Sequence, residues 1–218
     1  NYLSSLVNFP FFRDNCVGVT DSSGNLFIVG GTNYLYNNLK FHKTTAIIGA
    51  DNHAEEGTEY GDLLFKSTDS FSIGAQINPT TSHLGAIVTK AHTYGSGFGA
   101  HRGWEFVYNS GNLEMHLKGS VGTNQIVVAT YSPSPAFVNG EDRWVAMSYN
   151  GSGSASGIKI YVNNTLQNTI PTSDTLTEDI RYPAKVSIGG NEGGTDFNGT
   201  VSNVTIYNRV IDWTKSIF

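Results

Sequence analysis

Phe197-Asn198-Gly199-Thr200-Val201-Ser202-Asn203-Val204-Thr205-Ile206-Tyr207-Asn208-Arg209 decides how the rest of the chain is read. An aromatic residue enters an Asn-Gly turn, where glycine accepts backbone angles closed to other residues. The run that follows is rich in β-branched side chains, which suit a pleated, half-buried surface. It closes on Tyr207-Asn208-Arg209. The stretch predicts a tight turn feeding one long strand.

Upstream, the same grammar repeats. Phe71-Ser72-Ile73-Gly74-Ala75-Gln76-Ile77-Asn78-Pro79 alternates, which lays Phe71, Ile73, Ala75 and Ile77 on one face, and Asn78-Pro79 is expected to end the strand. Leu84 to Thr89 is a second run. Trp104 to Tyr108 and Leu113 to Leu117 flank Asn109-Ser110-Gly111-Asn112 and predict a hairpin. Trp144 to Tyr149, Ile158 to Val162 with an Asn163-Asn164 turn, Val186 to Gly189 and Val201 to Tyr207 complete the set. Strands at this spacing, without a long amphipathic helix, predict an all-β antiparallel β-sandwich. In the less regular N-terminal third, Leu26 to Val29 and Thr45 to Ile48 read as strands and Asp51 to Asp62 as an acidic loop. Val210 to Ile217 reads as a short helical cap, and Trp104 and Trp144 as core.

Composition agrees. The chain has 218 residues, 39% hydrophobic and only 14% charged, with 25 Gly and 21 Asn. Polarity carried by turn residues rather than charge fits many short strands joined by tight turns. Nothing shifts in composition along the chain, so residues 1–218 are read as one domain. The net charge of −5 lacks the basic footprint of a nucleic-acid binder. No apolar stretch is long enough for a membrane-spanning helix. The lone Cys16 excludes an internal disulfide and fits a bacterial, cytosolic or viral origin better than a small secreted animal domain. The chain begins at Asn1 without Met, which leaves a removed upstream segment as an expectation. Asn150, Asn163, Asn198 and Asn203 stand in glycosylation sequons, a number that an Asn- and Thr-rich chain also reaches by chance.

In order and spacing, these strands resemble the laminin-G-like domains of the concanavalin A-like lectin/glucanase superfamily. The resemblance rests on Phe71 to Pro79, Ile87 to Lys90, Trp144 to Gly151, Ile158 to Asn164, Val186 to Gly189 and Phe197 to Arg209. It is best over 65–211, and looser at Leu6-Val7 with Pro10-Phe11 and at Asp21-Ser22-Ser23-Gly24-Asn25. The family usually has Asn-Gly where Asn163-Asn164 stands, and Asn also tolerates positive φ. Asn208 to Trp213 resembles the helix that follows the closing strand in many bacterial and phage members. The resemblance implies a jelly roll that binds rather than cuts. The first expectation is a lectin-like adhesin domain for carbohydrate or a host cell surface. The alternative is a virion structural protein, a phage capsid or tail decoration packed on neighbouring subunits. Either implies a place on the extracellular surface or virion, in a homo-oligomer or larger assembly.

Catalysis is not expected. A glycan-cleaving enzyme, the lowest alternative, needs two carboxylates across a cleft. Glu105 and Glu114 on the hairpin have no second acid two residues away, and Glu141-Asp142 would face opposite sides of a strand. His83, His92 and His101 recur at nine residues, which is no metal-ligand spacing. Calcium is the metal expectation, since it takes hard oxygens from loops. Asp21, Asn25 and Asp196 are of the right type, although Asp21 and Asn25 also suit a self-capped turn. For a glycan, the useful combination is a flat ring beside polar side chains. The loop Thr93-Tyr94-Gly95-Ser96-Gly97-Phe98-Gly99 offers Tyr94 next to His92, His101 and Arg102, and these four are the expected ligand-binding residues. An ordinary solvent loop remains the alternative.

Overall fold

The computed structural model describes residues 63–91, 102–119, 124–182, 186–190 and 196–215 in full, and the backbone of five short strands upstream. In chain order the strands are β1 (Val17–Thr20), β2 (Leu26–Val29), β3 (Leu39–Lys43), β4 (Ile47–Ile48), β5 (Ala54–Glu56), β6 (Phe71–Pro79), β7 (Gly85–Ala91) and β8 (Gly103–Asn109). They continue with β9 (Asn112–Lys118), β10 (Gln125–Thr130), β11 (Arg143–Tyr149), β12 (Ile158–Val162), β13 (Thr165–Leu166), β14 (Thr169–Asp174), β15 (Val186–Ile188) and β16 (Gly199–Tyr207). Among the described residues the only helix is one 3₁₀ turn at Ala155–Gly157, and none is long and apolar enough to cross a membrane.

Two seven-stranded antiparallel sheets form a β-sandwich. One runs β14-β10-β9-β8-β7-β15-β5. The other runs β13-β12-β11-β6-β16-β3, with β4 also paired to β16. The core lies between them. Phe71, Ile73, Ala75 and Ile77 are fully buried on the inward face of β6, as the alternation predicts. Phe65 stacks on Phe71 at 4.5 Å, and Phe71 meets Trp104 at 6.0 Å and Tyr149 at 5.8 Å. Phe197 is fully buried against Tyr108 at 5.8 Å, so the aromatic that opens the closing turn plugs one end of the core. β16 then pairs with β6 along its length, with a bulge at Asn203 where φ reaches 50°.

Turn chemistry explains the hairpins. Ser110 and Gly111 both have positive φ between the paired Asn109 and Asn112, the twist a two-residue hairpin needs. Asn163 and Asn164 do the same between Val162 and Thr165, at φ 46° and 61°. Asn163 also accepts the Trp144 N–H at 3.0 Å, and Asn150 accepts the Ser152 N–H at 3.0 Å. Asn203 donates to Gln76 at 2.8 Å. Turn and bulge geometry thus accounts for three of the sequon asparagines.

Asn78-Pro79 ends β6 as expected: Pro79 is its last residue, pairs with Gly199, and its carbonyl accepts the Gly140 N–H at 2.7 Å. Three expectations are corrected. The acidic stretch 51–62 contains β5, an added edge strand on β15. Val210–Lys215 is not helical. It straps across the outer face of the second sheet, where Ser72 Oγ accepts from Ile211 N at 2.9 Å and Ser148 Oγ donates to Ile211 O at 2.6 Å. Those bonds take the backbone groups that a helix would use. Trp144 lies outside the main core. It packs half-buried on that same outer face, in a second cluster with Ala146, Tyr161, Tyr207, Ile211 and Trp213.

Candidate recognition face

The outer face of the sheet that holds β8 and β9 carries a row of charged side chains where solvent-facing sheets carry scattered ones. Inward on β9 are Leu113, Met115 and Leu117, all fully buried. Outward, by the same alternation, are Glu114, His116 and Lys118. Glu105 on β8 stands directly opposite His116, so both acids of the hairpin share this face. Glu105 is fully buried, and its Oε2 accepts from Lys118 Nζ at 2.6 Å with His116 Nδ1 3.6 Å away. His116 Nε2 lies 2.8 Å from Glu114 Oε2, and Asn109 Nδ2 donates to Glu114 Oε1 at 2.8 Å. The His116 hydrogen bond, assisted by the Asn109 amide and by the His116 and Lys118 charges, holds the Glu114 carboxyl below its ordinary range against the opposing effect of burial.

At the Lys118 end of the row sits Arg102. Its Nε donates to Gly119 O at 2.6 Å and its Nη2 meets Glu178 Oε2 at 3.4 Å. Glu178 is itself fixed, because Asn124 Oδ1 accepts the backbone N–H groups of Thr177 and Glu178, each at 3.1 Å. Arg102 is half-exposed and its Nη1 makes no hydrogen bond among the described residues. The connection from β7 to β8 leaves from this end. Of the four expected ligand-binding residues the structure describes Arg102; His92, Tyr94 and His101 lie outside the described residues.

The expected calcium ligands are placed only in part. Asp196 is half-buried and bridges Ala86 at the start of β7, at the opposite end of that strand from Arg102. Asp21 and Asn25 lie outside the described residues. Among the described residues no group of three or more His, Cys, Asp or Glu stands close enough to hold a metal ion. His83 is exposed in the turn before β7, its N–H on Thr81 Oγ1 at 3.4 Å, at the opposite end of that strand from Ala91.

The family model described as the concanavalin A-like lectin/glucanases superfamily matches residues 49–215. The chain belongs to that superfamily. Among solved structures, the lectin/glucanase-type sandwich seen here is similar to the binding domain of Paraclostridial mosquitocidal protein 1, at 14% identity and a TM-score of 0.57 over 83% of this chain and 51% of that one. It is also similar to the botulinum neurotoxin serotype D binding domain, at 13% identity and a TM-score of 0.57 over 90% of this chain and 48% of that one. A third is the CBM40 of the Ruminococcus gnavus IT-sialidase bound to α2,3-sialyllactose, at 15% identity and a TM-score of 0.51 over 78% of this chain and 95% of that one. This chain thus spans about half the length of the two toxin binding domains. At such identities the likeness is one of fold. No curated protein sequence matches the chain.

Sequence reasoning missed the charged row as a unit. Its signal was present: Glu114-x-His116-x-Lys118 is the polar half of the alternation whose apolar half marked the strand. What sequence alone lacks is the register that sets Glu105 against His116.

Proposed function

We propose that this chain is a non-enzymatic recognition module that binds carbohydrate on a cell surface. The observation that carries the reading is the fate of the two acids on the β8–β9 face. Glu105 is bonded to Lys118, and Glu114 is held ionised between His116 and Asn109. Glycoside cleavage needs a carboxyl kept protonated near neutral pH to serve as general acid. Glu114 is shifted the wrong way for that role and suits a fixed acceptor for hydroxyl groups. Arg102, with its guanidinium clamped at one edge and open at the other, suits a polar ligand arriving at the end of the sheet where the β7–β8 connection leaves. That the similar structures are binding domains, one of them holding α2,3-sialyllactose, supports a glycan or cell-surface partner and an extracellular or surface location.

A glycan array read alongside chromogenic glycosides tests this. The expected result is selective retention on a subset of glycans, no released sugar, and loss of retention on Tyr94→Ala or Arg102→Ala. Failure to bind any glycan, together with a stable oligomer in solution, would overturn it in favour of the virion-subunit reading. Calcium at Asp21, Asn25 and Asp196 stands as a proposal with its own measurement. A melting temperature that falls with chelator supports it, and one that ignores chelator removes it.

A further inference from the structure

The same sheet face ends, away from Arg102, in an aromatic side chain that the fold does not use. Tyr131 follows β10 directly, is 65% exposed and makes no ring contact with another aromatic among the described residues. The β10–β14 ladder runs one step past the strand, Tyr131 N–H donating to Asn168 O at 3.0 Å. Tyr131 therefore keeps the side of the sheet that Ala129 has. Ala129 is opposite Glu114 on β9 and opposite Ile170 on β14. Tyr131, Ile170, Asn168, Ala129 and Glu114 thus share one end of the outer face. Tyr131 and Glu114 are diagonal neighbours across two strands, about 7–8 Å apart, a gap that long side chains span.

The platform is rigid. Gln167 is buried, and its side chain ties the segment after Tyr131 to the β13–β14 connection. Its Oε1 accepts Ser134 N–H at 2.7 Å, and its Nε2 donates to Ser134 O at 3.0 Å and to Thr165 O at 2.7 Å. The backbone that carries the ring is thus anchored on both sides, which lowers the ordering cost when a ligand stacks there. Glu114 is equally fixed, by Asn109 and His116, and each carboxylate oxygen keeps a lone pair for a further donor. Ala129, the small residue between ring and carboxylate, leaves the floor open.

We propose that Tyr131 and Glu114 form a subsite for a neutral hexopyranose, whose C–H face stacks on Tyr131 while its hydroxyls donate to Glu114 and meet the Asn168 amide. This rests on the glycan-binding reading above and narrows it. The commitment to a neutral sugar follows from charge. Glu114 is held ionised, and no cation other than His116 and Lys118 faces it from β9, while Glu105 on β8 already engages Lys118. A carboxylated sugar would set like charges together at this end. An anionic residue of the same glycan would sit at the Arg102 end instead, six residues along β9 and about 20 Å away.

The test titrates neutral methyl hexopyranosides and sialyllactose into the folded chain by calorimetry, with matching glycan-array slides. Tyr131→Ala is expected to weaken neutral-sugar binding roughly tenfold, and Tyr131→Phe, which keeps the ring, less than threefold. Glu114→Gln is expected to weaken neutral sugars and to narrow the preference for them over sialyllactose. Glycan binding that Tyr131→Ala leaves untouched overturns the subsite and spares the wider reading. Wild-type binding confined to sialylated glycans overturns the choice of a neutral sugar. A wild-type chain that binds no glycan overturns both.

Discussion

Gly74 lies beneath the indole of Trp144: a Cβ at position 74 would stand 2.5 Å from Trp144 Cζ2 and 2.9 Å from Trp213 Cη2. The two tryptophans meet at 5.8 Å across this spot, on the outer face of the second sheet. Glycine is needed here for space. Gly74→Ala forces both rings away from the sheet, and neither contact is the free end of a flexible chain. The expected cost is about 2 kcal/mol, within the range for overpacking a fitted site. For a chain of this size that lowers Tm by about 4–8 °C, readable by thermal unfolding.

Trp213 anchors the C-terminal strap. It is fully buried, its Nε1 donates to Met147 O at 3.1 Å, and it meets Tyr207 edge-on at 6.0 Å. Trp213→Ala removes the largest side chain of the second cluster and is expected to cost about 3–5 kcal/mol. Trp213→Phe should cost less, since it keeps an aromatic ring in the cluster and loses the hydrogen bond and the outer part of the indole. Urea unfolding of the two variants checks the order. If they lose equal stability, the indole N–H rather than the packing holds the strap.

The Glu105–Lys118 pair sits on the other sheet with side chains 0% and 2% exposed. Breaking a buried pair from one side leaves an uncompensated charge and costs about 3–5 kcal/mol, whereas replacing both with apolar side chains is often neutral. Lys118→Met is therefore expected to destabilise strongly, and Glu105→Leu with Lys118→Met to recover most of the loss. A denaturant double-mutant cycle measures the coupling. Near-additive losses would mean that His116, 3.6 Å from the same carboxylate oxygen, takes over as its partner.

The sandwich was legible because its central strands alternate cleanly. Phe71 to Pro79, Trp104 to Tyr108 and Leu113 to Leu117 each bury one apolar face, so period two is written into the sequence. β10 escaped notice because Ile126, Val127 and Val128 are all buried, on both faces, and a continuous apolar run has no period to read. β14 escaped for the opposite reason. It is an edge strand, mostly exposed, and Pro171 marks it as a breaker, although Pro is tolerated where one side of the ladder is unpaired. The recognition face followed the same rule. Arg102 was found as part of a composition-rich loop, while Glu105, His116 and Tyr131 take their meaning from which strand lies beside which. Trp144 looked like core because it opens an apolar alternation. Its parity with Ala146 and Ser148 turns it outward, where Gly74 and the strap cover it.

The Glu114 contacts predict how stability depends on pH. His116 is the largest influence lowering the folded-state pKa, with Asn109 and Lys118 acting in the same direction. A carboxyl whose pKa is lower in the folded than in the unfolded chain binds fewer protons when folded. Its contribution is therefore complete above the unfolded value, about pH 4.3, and is lost as pH falls through the folded value. The stability of wild type relative to Glu114→Gln should shrink as pH falls below about pH 4. Urea unfolding of the pair at matched ionic strength between pH 3 and 7 measures it. A difference that grows below about pH 4 would mean that Glu114 is protonated in the folded state, which would also remove it as the fixed acceptor of the Tyr131 subsite.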